Sequence, residues 1–596
     1  MPTVLNLAIV KSSIQSVAFR KLGRITCVAL LHLATCYVAA AATPTFNKDV
    51  APILYKHCTS CHRQGEIGSA LPLISYDDAR SHAESIKQSV VSREMPPWPA
   101  DPSHSMKFRN DPRLSQHEVD TLIAWVSASA PRGKGNPPPV PNFPQGWLNP
   151  KGTPPDLVLP LREYHLPASG EIPYVRQLVK VPFKEDKWIV ALQVRPGNRE
   201  VVHHMAITEL QLAKGVTPDN LQEIADRARR LGLDAGSIAN QPAVVDPSNP
   251  AAYDMLGVYT PGTSFESYED GTAKLLKGGD NNYLNFNIHY QTTGKAETDQ
   301  SMLGLWFRPD RPPHQVYRVP AAGQTLIANG KEILLDDPGQ KAEGTNAAIP
   351  PIPPNAGNYK LIGITAYTGP VTIYQLQPHA HLRGKDFLYS VVYPDGHEES
   401  VLSVPDYNFH WQLAYELEKP LALPPGSKLI VTAHYDNSLN NKHLQHHHHG
   451  SSEDSHFGTD KEVSFRENNQ SWDEMFTPFI QYSDDSQDPA NPAHSKPALK
   501  IAEAVGCLTQ AASKEWILTK ASDPTQSPTQ ATSSTEVRAA AAKPLGNQEY
   551  QLLGANVFSP SNYLGQKVAI KGVLIEDNRT KRLNVTSLQT ITRNCE

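Results

Sequence analysis

The run HCTSCHRQG sets Cys58, Cys61 and His62 in a C-x-x-C-H spacing. Two thiols one helical turn apart reach the two vinyl groups of a haem, and the histidine beside the second thiol turns under the iron as an axial ligand. A redox-active dithiol or half of a zinc site would use the same cysteines, but neither needs the adjacent histidine, and no second C-x-x-C lies nearby. One covalent haem c is therefore expected. Its sixth ligand should be a thioether or imidazole some tens of residues later. Met95 in SREMPPWPAD, stiffened by the prolines after it, is the first choice, with Met106, His104 and His82 as competitors.

Three further segments carry histidines. In VVHHMAI, His203 and His204 are adjacent, and neighbouring strand residues face opposite sides. Both serve one ion only if a bulge or strand end breaks that alternation. In YLNFNIHYQT, Leu284, Phe286 and Ile288 share one face while Asn285, Asn287 and His289 share the other, which turns His289 away from the core. In IYQLQPHAHLRGKDF, His379 and His381 stand two apart, so a strand would put both imidazoles on one face, where they can chelate an ion. Each pattern alone also fits a solvated strand face; three on separate segments argue for metal. Met475 in SWDEMFTPFIQY, among Phe476, Phe479 and Tyr482, reads by itself as a core methionine.

These residues need elements to hold them. From about residue 157 to 482 the chain alternates in short runs broken by Pro, Gly and Asn, which predicts β-sandwich domains, with PDNLQEIADRARRLGLDAG as the main helical interruption. Residues 44–135, closed by the helical LSQHEVDTLIAWVSASAP, form a small all-α module that resembles a class I-type cytochrome c domain. Residues 136–156 are dense in proline and glycine and read as a semi-rigid spacer that tethers the haem module at restricted reach. Near the end, 500–596 alternates as a small β-barrel, OB-like, with no catalytic constellation. Cys507 and Cys595 bracket it and are expected to form a disulfide, while the insertion TQSPTQATSSTEVRAAAAKP is expected to be mobile. His443 and the run His446–His449 read as a polar loop, with copper loading as the other reading.

VVHHMAI, YLNFNIHYQT, QPHAHLRGKDF and SWDEMFTPFIQY occur in this order across about residues 155–485. In that order and approximate spacing the chain resembles the copper type II, ascorbate-dependent monooxygenases, which include peptidylglycine α-hydroxylating monooxygenase and dopamine β-monooxygenase. The resemblance implies two tandem jelly-roll-like sandwiches, 157–315 and 316–485, each binding one copper, with an open, solvent-filled cleft between them. It implies that His203, His204 and His289 hold an electron-transfer copper, and that His379, His381 and Met475 hold the copper that meets oxygen. The donors agree: three imidazoles suit copper in either oxidation state, and a thioether favours Cu(I). The chain also departs from the pattern. Where the peptide-hydroxylating members carry an arginine, an asparagine and a tyrosine that hold a substrate carboxylate, Gln377, Thr477 and Phe479 stand here, and the family's disulfides have no cysteines to form them. A glycine-extended peptide is not the expected substrate.

In the first 42 residues, Lys11, Arg20, Lys21 and Arg24 precede the apolar run ITCVALLHLATCYVAAAA, the order of a secretory signal. A lipoprotein cleavage at Cys36 is disfavoured by the threonine before it. Export to the periplasm or the extracellular space follows, and no later run is long and apolar enough for a transmembrane segment. The 596 residues exceed what one core supports, and a net charge of -5 shows no basic surplus, so nothing argues for a nucleic-acid partner. The expected function is an exported monooxygenase with one haem c and two copper ions. The haem, fed by a redox partner, supplies electrons beside or in place of ascorbate or another external reductant, to hydroxylate a C–H bond of a small molecule or peptide. The alternatives are a periplasmic electron-transfer or copper-handling protein, and a zinc hydrolase on His379 and His381, which Met475 disfavours.

Overall fold

The computed structural model describes residues 43–144, 146–212, 215–221, 254–262, 265–321, 323–336, 349–445, 457–464, 470–486, 498–577 and 580–595. The signal segment, most of the helix expected within 218–236 and the run His446–His449 lie outside the described residues.

The first described elements are the helices Ala51–His57, Tyr76–Ser81, Ala83–Val91 and Gln116–Ser127. Ser75 and Ser115 each start a helix with a reciprocal capping box, closed by Asp78 and Glu118, which satisfies backbone N–H groups that the first turn leaves free. Leu122, Trp125 and Val126 close a small core with Phe46, Leu54 and Ile86. Between the third and fourth helices, residues 98–113 leave this core. Trp98 and Phe108 pack on Tyr415 at 4.7 and 5.3 Å between ring centroids, and Arg109 pairs with Glu269 and Glu416. Met106 donates its N–H to the Val401 carbonyl at 3.1 Å, and the His104 carbonyl accepts from Ser400 at 2.7 Å. These two competitors for the haem are thus held on the strand Glu398–Val404. The spacer is not a free tether either, because Trp147 packs edge-on against Trp306 beneath the Arg195 guanidinium. Burying those rings and stacking the cation fixes the segment where composition alone suggests an extended linker.

The remainder is mostly β-sheet in several layers. A four-stranded sheet orders Val175–Lys180, Asn282–Tyr290, Val202–Gln211 and Met255–Tyr259, and covers a core that includes Leu192, Leu284, Phe286, Ile288 and Leu305. A nine-stranded sheet closes the other side of that core and continues into the next one. Its continuity depends on the strand His314–Pro320, which pairs parallel with Thr272–Leu276 and antiparallel with Phe479–Asp484. A six-stranded sheet, including Tyr359–Ala366, Gly384–Val392 and Lys428–Tyr435, faces the second half of the long sheet across Leu361, Phe387, Val431 and Ile480. Its outer face is covered too, since Ile362, Ile364, Val392 and Ile430 join a third core with the C-terminal region. Burial on both faces explains why Tyr359–Ala366 and Lys428–Tyr435 carry the short apolar runs LIGI and LIV in place of strict alternation.

In the C-terminal region Ile501–Gln510, Trp516–Ala521, Gln548–Leu553, Lys581–Thr592 and Lys567–Glu576 pair in a ring that closes back on the first, with one parallel pair, Gln551 opposite Arg582. Cys507 and Cys595 form the expected disulfide. The insertion expected to be mobile is instead docked. Ser533 caps the helix Ser534–Ala541, Ala531 and Ala540 are buried, Gln530 bonds both N–H and carbonyl of Ala366, and Lys571 reaches Glu536. Backbone partners, invisible in its Ser/Thr-rich composition, order it.

Candidate functional site

The strand Asn282–Tyr290 alternates as its sequence predicts, with Leu284, Phe286 and Ile288 fully buried and His289 half-buried on the opposite face. Its neighbour Val202–Gln211 pairs Val202 with Tyr290 and then His204 with His289, so one extra residue, His203, is accommodated between them. This bulge is the break in alternation that lets two adjacent imidazoles turn the same way. The three rings lie 4.6 Å (His203 to His204), 4.6 Å (His204 to His289) and 5.2 Å (His203 to His289) apart. His289 Nδ1 comes within 3.1 Å of His204 Nε2, and the His203 Nδ1 is buried without a hydrogen-bond partner. One ligand nitrogen from each histidine falls within 4.8 Å of the others. An ion about 2.0 Å from each nitrogen of the His204–His289 contact would subtend about 100°, close to tetrahedral. The residues therefore fit a metal ion, and copper is compatible with them.

His379 and His381 do not sit on a strand as their spacing suggests. The strand Val371–Gln377 stops at Gln377, and Pro378 opens a loop that carries both histidines. A proline removes the ladder donor there, and the loop, not pleat geometry, brings the rings 5.4 Å apart. Met475 reaches the pair from a separate loop, its Sδ 3.0 Å from His379 Nε2. Each imidazole is oriented from behind. His379 Nδ1 donates to Gln412 Oε1 at 2.6 Å, and His381 Nδ1 donates to the Asp473 carbonyl at 3.1 Å, which leaves each Nε2 with a free lone pair. Underneath, the buried Glu474 carboxylate accepts the N–H groups of His381, Arg383 and Met475 at 2.5, 3.0 and 2.9 Å. The buried Arg383 side chain ties the same loop to Asn437 and to the Trp472 and Gly458 carbonyls.

Burial holds His203, His204 and His381 well below the ordinary imidazole pKa, with neighbouring histidines adding to the effect, and lowers His379 to about 4. All four are neutral at neutral pH, the state that binds metals. Burial also raises Glu474 to about 7, against the three N–H donors that favour its charge.

The two sets are not separated by an open, solvent-filled cleft. Gln412 spans them, its amide group 3.3 Å from His204 Nε2 while its oxygen holds His379. Phe409 lies 5.3, 5.7 and 5.8 Å from the rings of His204, His289 and His381, and Tyr174 lies 5.3 Å from His289 and 6.1 Å from His381. Aromatic surface fills the space that solvent would otherwise occupy. None of Gln412, Phe409, Tyr174, Glu474 or Arg383 carries a role in the sequence reading. Their parts depend on which distant segment they meet, and no spacing announces that.

In the helical region, His62 Nδ1 donates to the Leu71 carbonyl at 3.0 Å, leaving Nε2 for a ligand, and Cys58 and Cys61 are free thiols in one loop. Burial pushes the Cys58 thiol up to about 12, with Cys61 adding to it, and burial lowers His62 below its usual value. This donor set fits a covalent haem. His82 stands near enough to His62 to lower it further, while Met95, half-buried, donates its N–H to the Ser89 carbonyl at 3.2 Å.

No family model and no curated protein matches the chain. Among solved structures it is similar to the infectious bursal disease virus Gx strain, at 8% identity over 58% of this chain and 77% of that one, TM-score 0.16. It is also similar to procruciferin, an 11S globulin from Brassica napus, at 10% identity over 56% of this chain and 82% of that one, TM-score 0.11. Similarity at that level carries no argument about fold or function. Fold and site together define a β-rich protein with a largely buried histidine triad able to hold a metal ion. Among the described residues no helix is long and apolar enough to cross a membrane.

Proposed function

We propose that the protein is an exported haem- and copper-dependent monooxygenase that hydroxylates a C–H bond. The observation that carries this reading is the convergence of His203, His204 and His289 beside a second set, His379, His381 and Met475, whose donors are softer. His203, His204 and His289 would hold one copper, the other three the second. Cys58, Cys61 and His62 would hold a haem c, with Met95 as its sixth ligand and His82 as the competitor. Bound there, these groups supply one-electron redox chemistry, and the thioether favours the cuprous state that reacts with oxygen.

The chain's own part is orientation and exclusion of water. Gln412, Asp473 and Leu71 accept from the rear nitrogens of His379, His381 and His62, so each ring presents its other nitrogen in one tautomer. Glu474 and Arg383 hold the His379–His381 loop against the Met475 loop, and Phe409 and Tyr174 keep water from the space between the sets. The disulfide and the sequence's secretory signal support an exported, oxidising location.

A second reading, a copper-handling or electron-transfer protein without hydroxylase activity, draws on the contact between the sets, which leaves a substrate no open cleft. Metal content and reductant-driven oxygen uptake, measured together on haem-matured, copper-loaded protein and on Met475→Ala, separate the two. Two coppers per haem with uptake lost in the variant supports the monooxygenase. Two coppers with equal, negligible uptake in both favours the carrier.

A further inference from the structure

The loop that follows Cys61 is docked on the corner of the first sandwich that leads directly into His203. Glu66 lies between two guanidinium groups, 2.6 Å from Arg63 and 3.0 Å from Arg199. One residue earlier, Gly65 donates its N–H to Glu200 Oε1 at 3.1 Å. These side chains are largely withdrawn from solvent, with Glu66, Arg63, Glu200 and Arg199 at 13, 12, 18 and 20% exposure, so the pairs are better shielded than ordinary surface ion pairs. The corner is held from its own side as well. Gln291 bonds the Glu200 carbonyl through its side chain and the Val201 carbonyl through its N–H, two residues beyond His289.

The same docking brings Cys61 against the four-stranded sheet. A methyl group built at Gly262 would lie 3.9 Å from the Cys61 Sγ, so the thiol faces bare backbone there. Tyr259, three residues before Gly262, is buried at the end of the strand Met255–Tyr259. On the sheet, Tyr259 pairs with Met205, the residue after His204. From the cysteine that would carry a haem thioether to an imidazole of the metal triad, the route runs from Cys61 to the Gly262 backbone, along the chain to Tyr259, across the strand pair to Met205 and on to His204.

We infer that the Arg199–Glu66 and Glu200–Gly65 contacts form an internal docking interface that fixes the electron-entry path into the His203–His204–His289 set where Cys61 meets the chain segment from Tyr259 to Gly262. The inference rests on the proposed haem and copper occupancy. With a haem on Cys58, Cys61 and His62 and a copper on the triad, the step would be a single-electron transfer in which the haem would lose one electron, the copper would gain it, and no bond to the chain would form or break. Arg199 and Glu200 are positioning residues, since they touch neither group and act by holding the Cys61 loop in place.

The test is rapid mixing of haem-matured, copper-loaded protein with a reductant, following the haem absorbance as the electron leaves, in wild type, Arg199→Glu and Arg199→Lys. Reversing the charge opposes Glu66, and losing docking energy of the size usual for coupled contacts slows copper-dependent haem oxidation roughly tenfold, whereas lysine preserves most of the rate. Haem and copper content, measured on each variant, stay at wild-type levels. Fast oxidation in wild type with an equally fast Arg199→Glu overturns the docking path and leaves the proposed function standing. A wild type that binds both groups yet shows no copper-dependent oxidation of its haem overturns both.

Discussion

The two histidine sets are built in opposite ways. His203, His204 and His289 lie on hydrogen-bonded neighbouring strands, where the ladder and one bulge bring three imidazoles together. His379, His381 and Met475 come from two loops beyond strand ends, held by a buried carboxylate, a buried guanidinium and a glutamine. A ladder fixes donors through the backbone, so the first set depends little on any side chain outside it. Loops have no such ladder, and side-chain hydrogen bonds must position the second set.

Breaking each set in turn should expose that difference. The largest effect is expected from His204→Ala, which removes the imidazole that meets both His289 and Gln412. Copper affinity of the first set should fall more than about 100-fold, beyond the usual loss for a supporting group, with the fold intact by circular dichroism. Titration with a copper chelator reads this directly, and unchanged affinity would mean that the bulge does not assemble a site.

Next is Glu474→Ala, which leaves three buried N–H donors without an acceptor and should destabilise the protein by about 3 kcal/mol or more. Copper stoichiometry should drop from two to one, with the first set still loaded. Equal loss from both sets would mean that the two are held in the same way. Gln412→Leu is milder. It frees the rear nitrogen of His379 and unlinks the sets, so the second copper should weaken about 10-fold and the first hardly at all, in the same titration.

The smallest effect lies outside both sets, at the seam between the six-stranded sheet and the C-terminal ring. Burial raises Glu332 to about 7 while it accepts from Ser587 and the Leu588 N–H. The folded state therefore keeps a proton that the unfolded chain releases near its ordinary 4.5, and the stability this confers at low pH is lost as pH rises from about 4.5 to 7. Glu332→Gln should leave Tm nearly unchanged at pH 5 and raise it relative to wild type at pH 8, by up to about 3 kcal/mol of stability. A difference independent of pH would show that the carboxyl titrates normally, and copper binding should be unaffected at either set.

What could be read from sequence is local and periodic. The alternation of residues 282–290 placed His289 off the core, and short alternating runs broken by Pro, Gly and Asn pointed to β-sandwich strands. The cysteines bracketing the C-terminal ring paired as their positions suggested. Where local signals misled, a distant partner had taken over. The Ser/Thr-rich insertion is ordered by Ala366 and Lys571, the spacer by Trp306, and the strand expected to carry His379 and His381 ends at Gln377.

By itself, then, the sequence determined the kinds of donor available, the C-x-x-C-H loop, the face of one strand and the disulfide, because each is a matter of residue type and short-range period. The tertiary structure alone decided that Gln412 joins His379 to His204, which lies 208 residues before Gln412, that aromatic rings close the space between the sets, and that the Cys61 loop rests on Arg199 and Glu200. Contacts of that span arise only when several sheets pack their cores together, and no window of the chain encodes them.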